Sequence, residues 1–250
     1  MSSTRHSASL AAVLPVLLFT GNASAEEAPQ DWRHTVFVYG MGAAIEGTAQ
    51  IGSVKVDVDV SASDVLDALE FGAMAAYRAD NGTWSFTGDA TFMGLGGWDR
   101  SQGGRVKGEL DVDQLTLMGT FGRRWTDHLE FLFGLAYVDL SADLKVTGEH
   151  GTLKAGRDAD WIDPTIGLQY HRGFAENWRF SLRGDIGGFG VGSDFMYHLL
   201  AAVGWQPSES LTVFGGYRLI SFDYEEGSGR NYQRYDLTEQ GPLLGVGISF

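Results

Sequence analysis

The chain has 250 residues, no cysteine and a formal net charge of −14, which excludes a disulfide framework, a thiolate site and the basic stripe that a nucleic acid requires. Glycine, at 35 residues, is well above its usual share of about 7%. With 12% aromatics and only five prolines, the composition suits strands better than helices.

In chain order, a short basic start (Arg5, His6) leads into an apolar run over residues 8–19. Ala23-Ser24-Ala25 then precedes the acidic pair Glu26-Glu27. These are the three parts of a cleavable secretory signal, and the run is too short to span a bilayer as a helix. Cleavage is expected after Ala25, so residues 1–25 are a signal peptide and residues 26–250 form one domain. No later window approaches the ~18 consecutive apolar residues of a membrane helix. Any membrane crossing therefore uses strands.

The remainder alternates with period two in segments separated by turns, short turns taking turns with longer connections. The short turns fall at residues 79–82, 126–128, 173–177 and 206–210, each rich in residues that favour turns. Longer connections fall near 47–69, 96–104, 147–158, 187–194 and 225–233. Together they join ten strands, with eight and twelve open because residues 55–60 either enter the wall or form half of a loop hairpin above it. Residues 61–70 read as one short helix in the first outer loop. Ser61 caps it with Asp64 three positions on, and Val65, Leu66 and Leu69 form its apolar face. It is either a plug over the barrel mouth or a helix packed against its own loop.

The seven tryptophans bear on topology, because indole collects at membrane–water interfaces. Trp84, Trp125, Trp178 and Trp205 stand beside short turns, and Trp32 stands where the first strand begins. Trp98 and Trp161 are expected in a second belt at the opposite end. Alternation is clearest after Trp178, where Phe180, Leu182 and Ile186 share one face while Arg179, Ser181, Arg183 and Asp185 share the other. The last strand sets Leu244, Val246, Ile248 and Phe250 against Gly245, Gly247 and Ser249. An apolar strand ending the chain leaves an unpaired edge unless the sheet closes. The fold expected is all-β, a closed antiparallel transmembrane β-barrel.

Several second-half segments resemble a family of poorly characterised outer-membrane β-barrel proteins of proteobacteria, small barrels of the porin-like or opacity-like kind. They are Trp161-Ile-Asp-Pro164 with Gly167, the stretch from Gly184 through Ser193-Asp194, Gly216-Tyr217-Arg218 with Asp223-Tyr224, Tyr235-Asp236, and Gly241-Pro242 with Phe250. The resemblance covers about residues 160–250 and is weaker before them. It implies the fold and an outer-membrane location, and no established activity. It also implies that Phe250 is part of the signal read by the barrel insertion machinery, with periplasmic chaperones and outer-membrane lipids as the other partners.

Residues that bear chemistry are few. Asp57-Val-Asp59-Val-Ser61 looks like a calcium loop, but Ala62 and Ala68 stand where such a loop needs Gly and Glu. Gly188-Phe-Gly190-Val-Gly192 looks like a phosphate loop, yet a strand follows it rather than a helix. Ser193 and Asp194 precede His198, but alternation puts Ser193 and His198 on opposite faces, so no catalytic triad is read and no enzyme is expected. No cofactor, metal or nucleic-acid partner is expected either. Strand parity places Asp89, Asp163, Gln169, Arg179, Arg183, Asp185, His198 and Arg218 in the lumen. Asp163, Arg183, Asp185, His198 and Arg218 come from consecutive strands and are expected to be neighbours. They form either an ion-paired filling or the lining of a narrow path. The function expected is a structural or narrowly conducting barrel, the alternative being a surface-interaction barrel that works through its outer loops.

Overall fold

The computed structural model describes residues 31–96, 100–102, 106–148 and 151–250. The expected signal peptide, its cleavage point and Trp98 lie outside the described residues.

The chain forms β1 (Arg33–Met41), β2 (Ala44–Ile51), β3 (Val54–Val60), α1 (Ala62–Ala68), β4 (Leu69–Asp80), β5 (Trp84–Leu95) and β6 (Arg100–Gln102). It continues through β7 (Val106–Arg124), β8 (Leu129–Gly148), β9 (Gly151–Ala175), β10 (Trp178–Gly188), β11 (Phe195–Trp205), β12 (Leu211–Glu226) and β13 (Gln233–Ser249). All pairings are antiparallel, and β13 returns to β1, which closes the sheet. At the seam the Phe250 N–H donates to the His34 carbonyl at 2.9 Å and the His34 N–H donates to the Phe250 carbonyl at 3.0 Å. The edge that an apolar last strand would expose is thereby paired.

The wall has ten staves. β1 and β2 are one stave, both lying along β13, while β3 and β4 flank that stave in turn. The interruption between β1 and β2 falls opposite Pro242, which has no N–H to give the ladder and only accepts, from Gly42 at 2.9 Å. Residues 55–60 therefore form half of a hairpin with β2, as one of the two expected arrangements had it. Among the described residues β3 has no wall neighbour on its far side.

α1 is capped as expected, the Ser61 Oγ accepting from the Asp64 N–H at 3.3 Å. Its apolar face is narrower than expected. Val65 is buried, whereas Leu66 and Leu69 are exposed, because β4 begins at Leu69 and carries that side chain away from the helix. A second correction concerns residues 147–158. Residues 147–148 and 151–158 are strand rather than loop, the ends of β8 and β9 being still paired at Gly148 and Gly151.

Polarity runs outward to inward in reverse of a soluble barrel. On β10, Leu182 and Ile186 are exposed while Arg183 and Asp185 are buried. The same holds round the wall, with Val36, Val38, Phe121, Phe133, Leu135, Ile166, Leu199, Leu244 and Val246 all exposed. Each such side chain gives up roughly 1.5–3 kcal/mol if left in water, a cost that a lipid surround removes. Trp32, Trp84, Trp125, Trp178 and Trp205 are exposed at the short-turn end. Trp161 is a correction: at 6% exposure it lies inside the lumen rather than in an outer belt. It shares parity with Asp163, and the pleat sends both side chains inward.

Candidate functional site in the lumen

The lumen has two storeys. Toward the end opposite the short turns, inward residues of β7, β8, β9, β11, β12 and β13 form a buried apolar cluster that includes Met118, Val138, Leu140, Trp161, Met196, Phe222, Tyr224 and Tyr235. The Trp161 and Tyr224 rings stack with centroids 4.2 Å apart, and Tyr224 stacks on Tyr235. Beside them Val65 of α1 packs with Ile45, Val60, Met93 and Leu95. Val112 and Leu237 pack against both groups. The two clusters thus make a layer across the lumen, with α1 as part of it.

Below this layer many of the inward residues are polar, and several are ion-paired. Arg183 holds Asp185 through two contacts, Nε–Oδ2 at 2.7 Å and Nη2–Oδ1 at 3.1 Å, and donates to Thr120 Oγ1 at 2.9 Å. His198 Nδ1 lies 3.0 Å from Asp185 Oδ2. These three side chains are buried, so their charges are compensated by one another rather than by water. Gly167, opposite Asp185 on β9, makes this packing fit, because an added Cβ there would strike the Asp185 carboxylate.

Arg218 pairs with a carboxylate outside the group of expected neighbours. It donates to Asp89 Oδ1 at 3.2 Å and to the Tyr39 hydroxyl at 2.8 Å, and Tyr39 in turn donates to Asp89 at 2.7 Å. Asp163 also stands apart from the arginines. It accepts from the Ser193 N–H at 2.6 Å, the Ser193 hydroxyl at 2.7 Å and the Trp161 indole N–H at 3.1 Å. Its work is to hold the 188–193 turn against the wall. Gln169 donates to Ser181 at 3.3 Å. Arg179 lies at the short-turn end, exposed and without an ion pair among the described residues.

Residues not singled out from sequence complete the lower storey. Arg78 bridges Asp80 at 2.7 Å and Glu130 at 2.9 Å, Arg124 reaches Asp80 at 3.0 Å, and Glu130 accepts from Ser85. Gln114 donates to Glu239 at 2.5 Å just under the apolar layer. Strand parity finds Ser85, four positions from Asp89 on β5, whereas β4, β7 and β8 carried no residue already placed inside from which to count.

Past the lipid-facing band on the outward side of β12 and β13, Arg234 lies 2.9 Å from Asp223 and 3.5 Å from Glu225. Partial burial pushes the Asp223 carboxyl above its ordinary range, with Arg234 opposing and Asp236, Asp194 and Glu225 adding to the rise.

Closed antiparallel topology, apolar exterior and charged interior define a transmembrane β-barrel. Neither a family model nor a curated protein matches the chain. Among solved structures, the outer membrane protease OmpT of Escherichia coli is similar with a TM-score of 0.51 at 10% identity, covering 90% of this chain and 99% of that one. The translocator domain of the autotransporter NalP from Neisseria meningitidis gives 0.44 at 14% identity, covering 88% of each chain. Ail, the attachment invasion locus protein of Yersinia pestis, gives 0.39 at 12% identity, covering 88% of this chain and 98% of that one. At 10% identity the likeness to OmpT is one of fold.

Proposed function

We propose that the protein is a structural barrel of the bacterial outer membrane, exported by its N-terminal segment and closed to solutes in its resting form. The observation that carries this is the apolar layer at the outer mouth, drawn from β2, β3, α1, β5, β7, β8, β9, β11, β12 and β13. Water and ions do not cross a packed layer of Trp161, Phe222, Tyr224 and Met196 without its opening. In this reading the ion pairs beneath it hold the staves together, and the short-turn end faces the periplasm, as in barrels of this class. No hydrolytic role is assigned, since the Asp185–His198 pair leaves Nε2 without a hydroxyl partner.

Planar-bilayer recording tests the seal. The native protein is expected to be silent, and a Trp161→Ala/Tyr224→Ala variant to show discrete conductance steps. Steps of constant size from the native protein at low voltage overturn the reading.

One observation favours a second reading as a surface-interaction barrel. β8 and β9 run 20 and 25 residues, about twice the 9–11 that a bilayer needs, so their hairpin projects beyond the lipid. Cells carrying the protein should lose adhesion when the hairpin is shortened to wall height. Unchanged adhesion sinks this alternative.

A further inference from the structure

Beneath the apolar layer the ion-paired side chains leave a cavity of about 630 Å³, within the roughly 300–1,000 Å³ of small-molecule sites. Asp31, Asn81, Gly82 and Gln206 form its rim at the short-turn end, and Tyr39, Asp89, His198 and Arg218 form its roof. It therefore opens toward the end that carries Asp31 and Phe250.

Its two walls differ. Arg78, Arg124, His171, Arg179 and Arg183 project from β4, β7, β9 and β10. Facing them are Phe37, Leu200, Ala202, Phe214 and Leu243, from the four successive staves β1, β13, β12 and β11. The first half-wall is basic, and Arg33 of β1 adds to it at the mouth; the second is apolar at mid-height, between Arg33 below and His198 and Arg218 at the roof. In a chain of net charge −14, six arginines line this one space.

Pairing leaves part of that positive charge uncompensated. Arg78, Arg124, Arg183 and Arg218 each hold a carboxylate, whereas Arg33 and Arg179, at the mouth, make no ion pair among the described residues. Deeper in, the Nε atoms of the buried Arg218 and of Arg124, and the Nε2 of the buried His198, have no hydrogen-bond partner among the described residues. Buried polar atoms are ordinarily satisfied, and the side chains that carry these three belong to the lining of the cavity.

We propose that this cavity is a binding site for a small amphiphilic anion that enters from the periplasmic end. Its charged head group, a carboxylate, sulfonate or phosphate, is held by the arginine wall, and its apolar body lies along Phe37, Leu200, Phe214 and Leu243. Arginine supplies the forked donors that such oxyanions accept from. The opposite wall gains by covering apolar surface that water otherwise wets. The inference rests on the sealed-barrel reading, because the apolar layer is what stands above the cavity's roof.

The test uses protein extracted from outer membranes, placed in phosphatidylcholine nanodiscs and titrated calorimetrically with 2-naphthalenesulfonate, the heat of empty discs being subtracted. Saturable one-to-one binding is expected, with the neutral 2-naphthalenemethanol and the cationic 2-naphthylmethylammonium bound about tenfold more weakly or worse. The Arg33→Gln/Arg179→Gln variant leaves every buried ion pair in place. It should weaken the sulfonate by about tenfold while keeping the gel mobility of the folded barrel. Equal binding of the three probes, binding unaltered in the double variant, or heat no greater than that of empty discs overturns the proposal. Phosphatidylglycerol added to the discs separates two sources of the same chemistry. Competition assigns the natural ligand to a membrane lipid, and none assigns it to a soluble periplasmic anion. Conductance by a protein that still binds the sulfonate sinks the seal alone, and silence without binding sinks the site alone.

Discussion

Arg218 on β12 meets Asp89 on β5 across the lumen, Nη1 to Oδ1 at 3.2 Å, from staves separated by β13, β1 and β4 on the shorter way round the wall. The Tyr39 hydroxyl sits between them and bonds both. The contact ties nearly opposite sides of the barrel.

Removing one partner leaves the other charged and uncompensated inside. Arg218→Met is expected to destabilise the barrel by about 3–5 kcal/mol, and Arg218→Met with Asp89→Leu by much less. The urea midpoint of the folded band on unheated gels measures both. Equal losses in the single and double variants would show that the pair does not couple.

Asp163 gathers three donors from Ser193 and Trp161. Asp163→Ala orphans them and should cost about 3 kcal/mol, the worth of one to two hydrogen bonds to a charged acceptor. It should also release the 188–193 turn, where Phe189 holds a left-handed backbone at φ 53° between Gly188 and Gly190. Chymotrypsin should then cut after Phe189, which is exposed. An uncut turn in Asp163→Ala contradicts this role.

Phe250 makes its structural contribution through its backbone at the seam and a ring contact to His34 at 5.8 Å. Phe250→Ser keeps the backbone pair. If Phe250 serves assembly, the variant protein that does fold is expected to lie within about 1 kcal/mol of native, while the amount reaching the outer membrane drops. Loss of stability with undiminished insertion would reverse the assignment.

The pH dependence at Asp223 has a definite sign. Its folded carboxyl holds a proton to higher pH than usual, burial being the largest cause. The stability this adds is present below the ordinary value near 3.9 and is lost as pH rises through the raised folded value. Asp223→Asn should therefore flatten the fall in urea midpoint across the weakly acidic range. An unchanged slope would place the effect elsewhere.

Much of the barrel is legible from local pattern. Asn81-Gly82 and Gln206-Pro207 announce short turns, Ser61 with Asp64 announces α1, and alternation on β10 sends Arg183 and Asp185 inward. Trp161 was misplaced because an interface preference was set above the pleat, which Asp163 had already fixed. The 147–158 hairpin was missed because its Gly, Thr and Lys content reads as loop, while pairing with a long neighbour satisfies its backbone as strand. The apolar layer had a signal too. Beyond Asp163 on β9, and beyond Arg218 on β12, inward residues change from charged to Ala159, Trp161, Ile220 and Phe222.

By itself the sequence determined which face each residue takes, where the chain turns, and that an apolar last strand must find a partner, because these follow from a period of two and from local backbone chemistry. Only the tertiary structure decided who meets whom inside. Asp163 serves Ser193 rather than an arginine, and Arg218 reaches Asp89 rather than its neighbour Asp185, because the distance across the lumen and the stagger of opposite walls are set by closing ten staves at once.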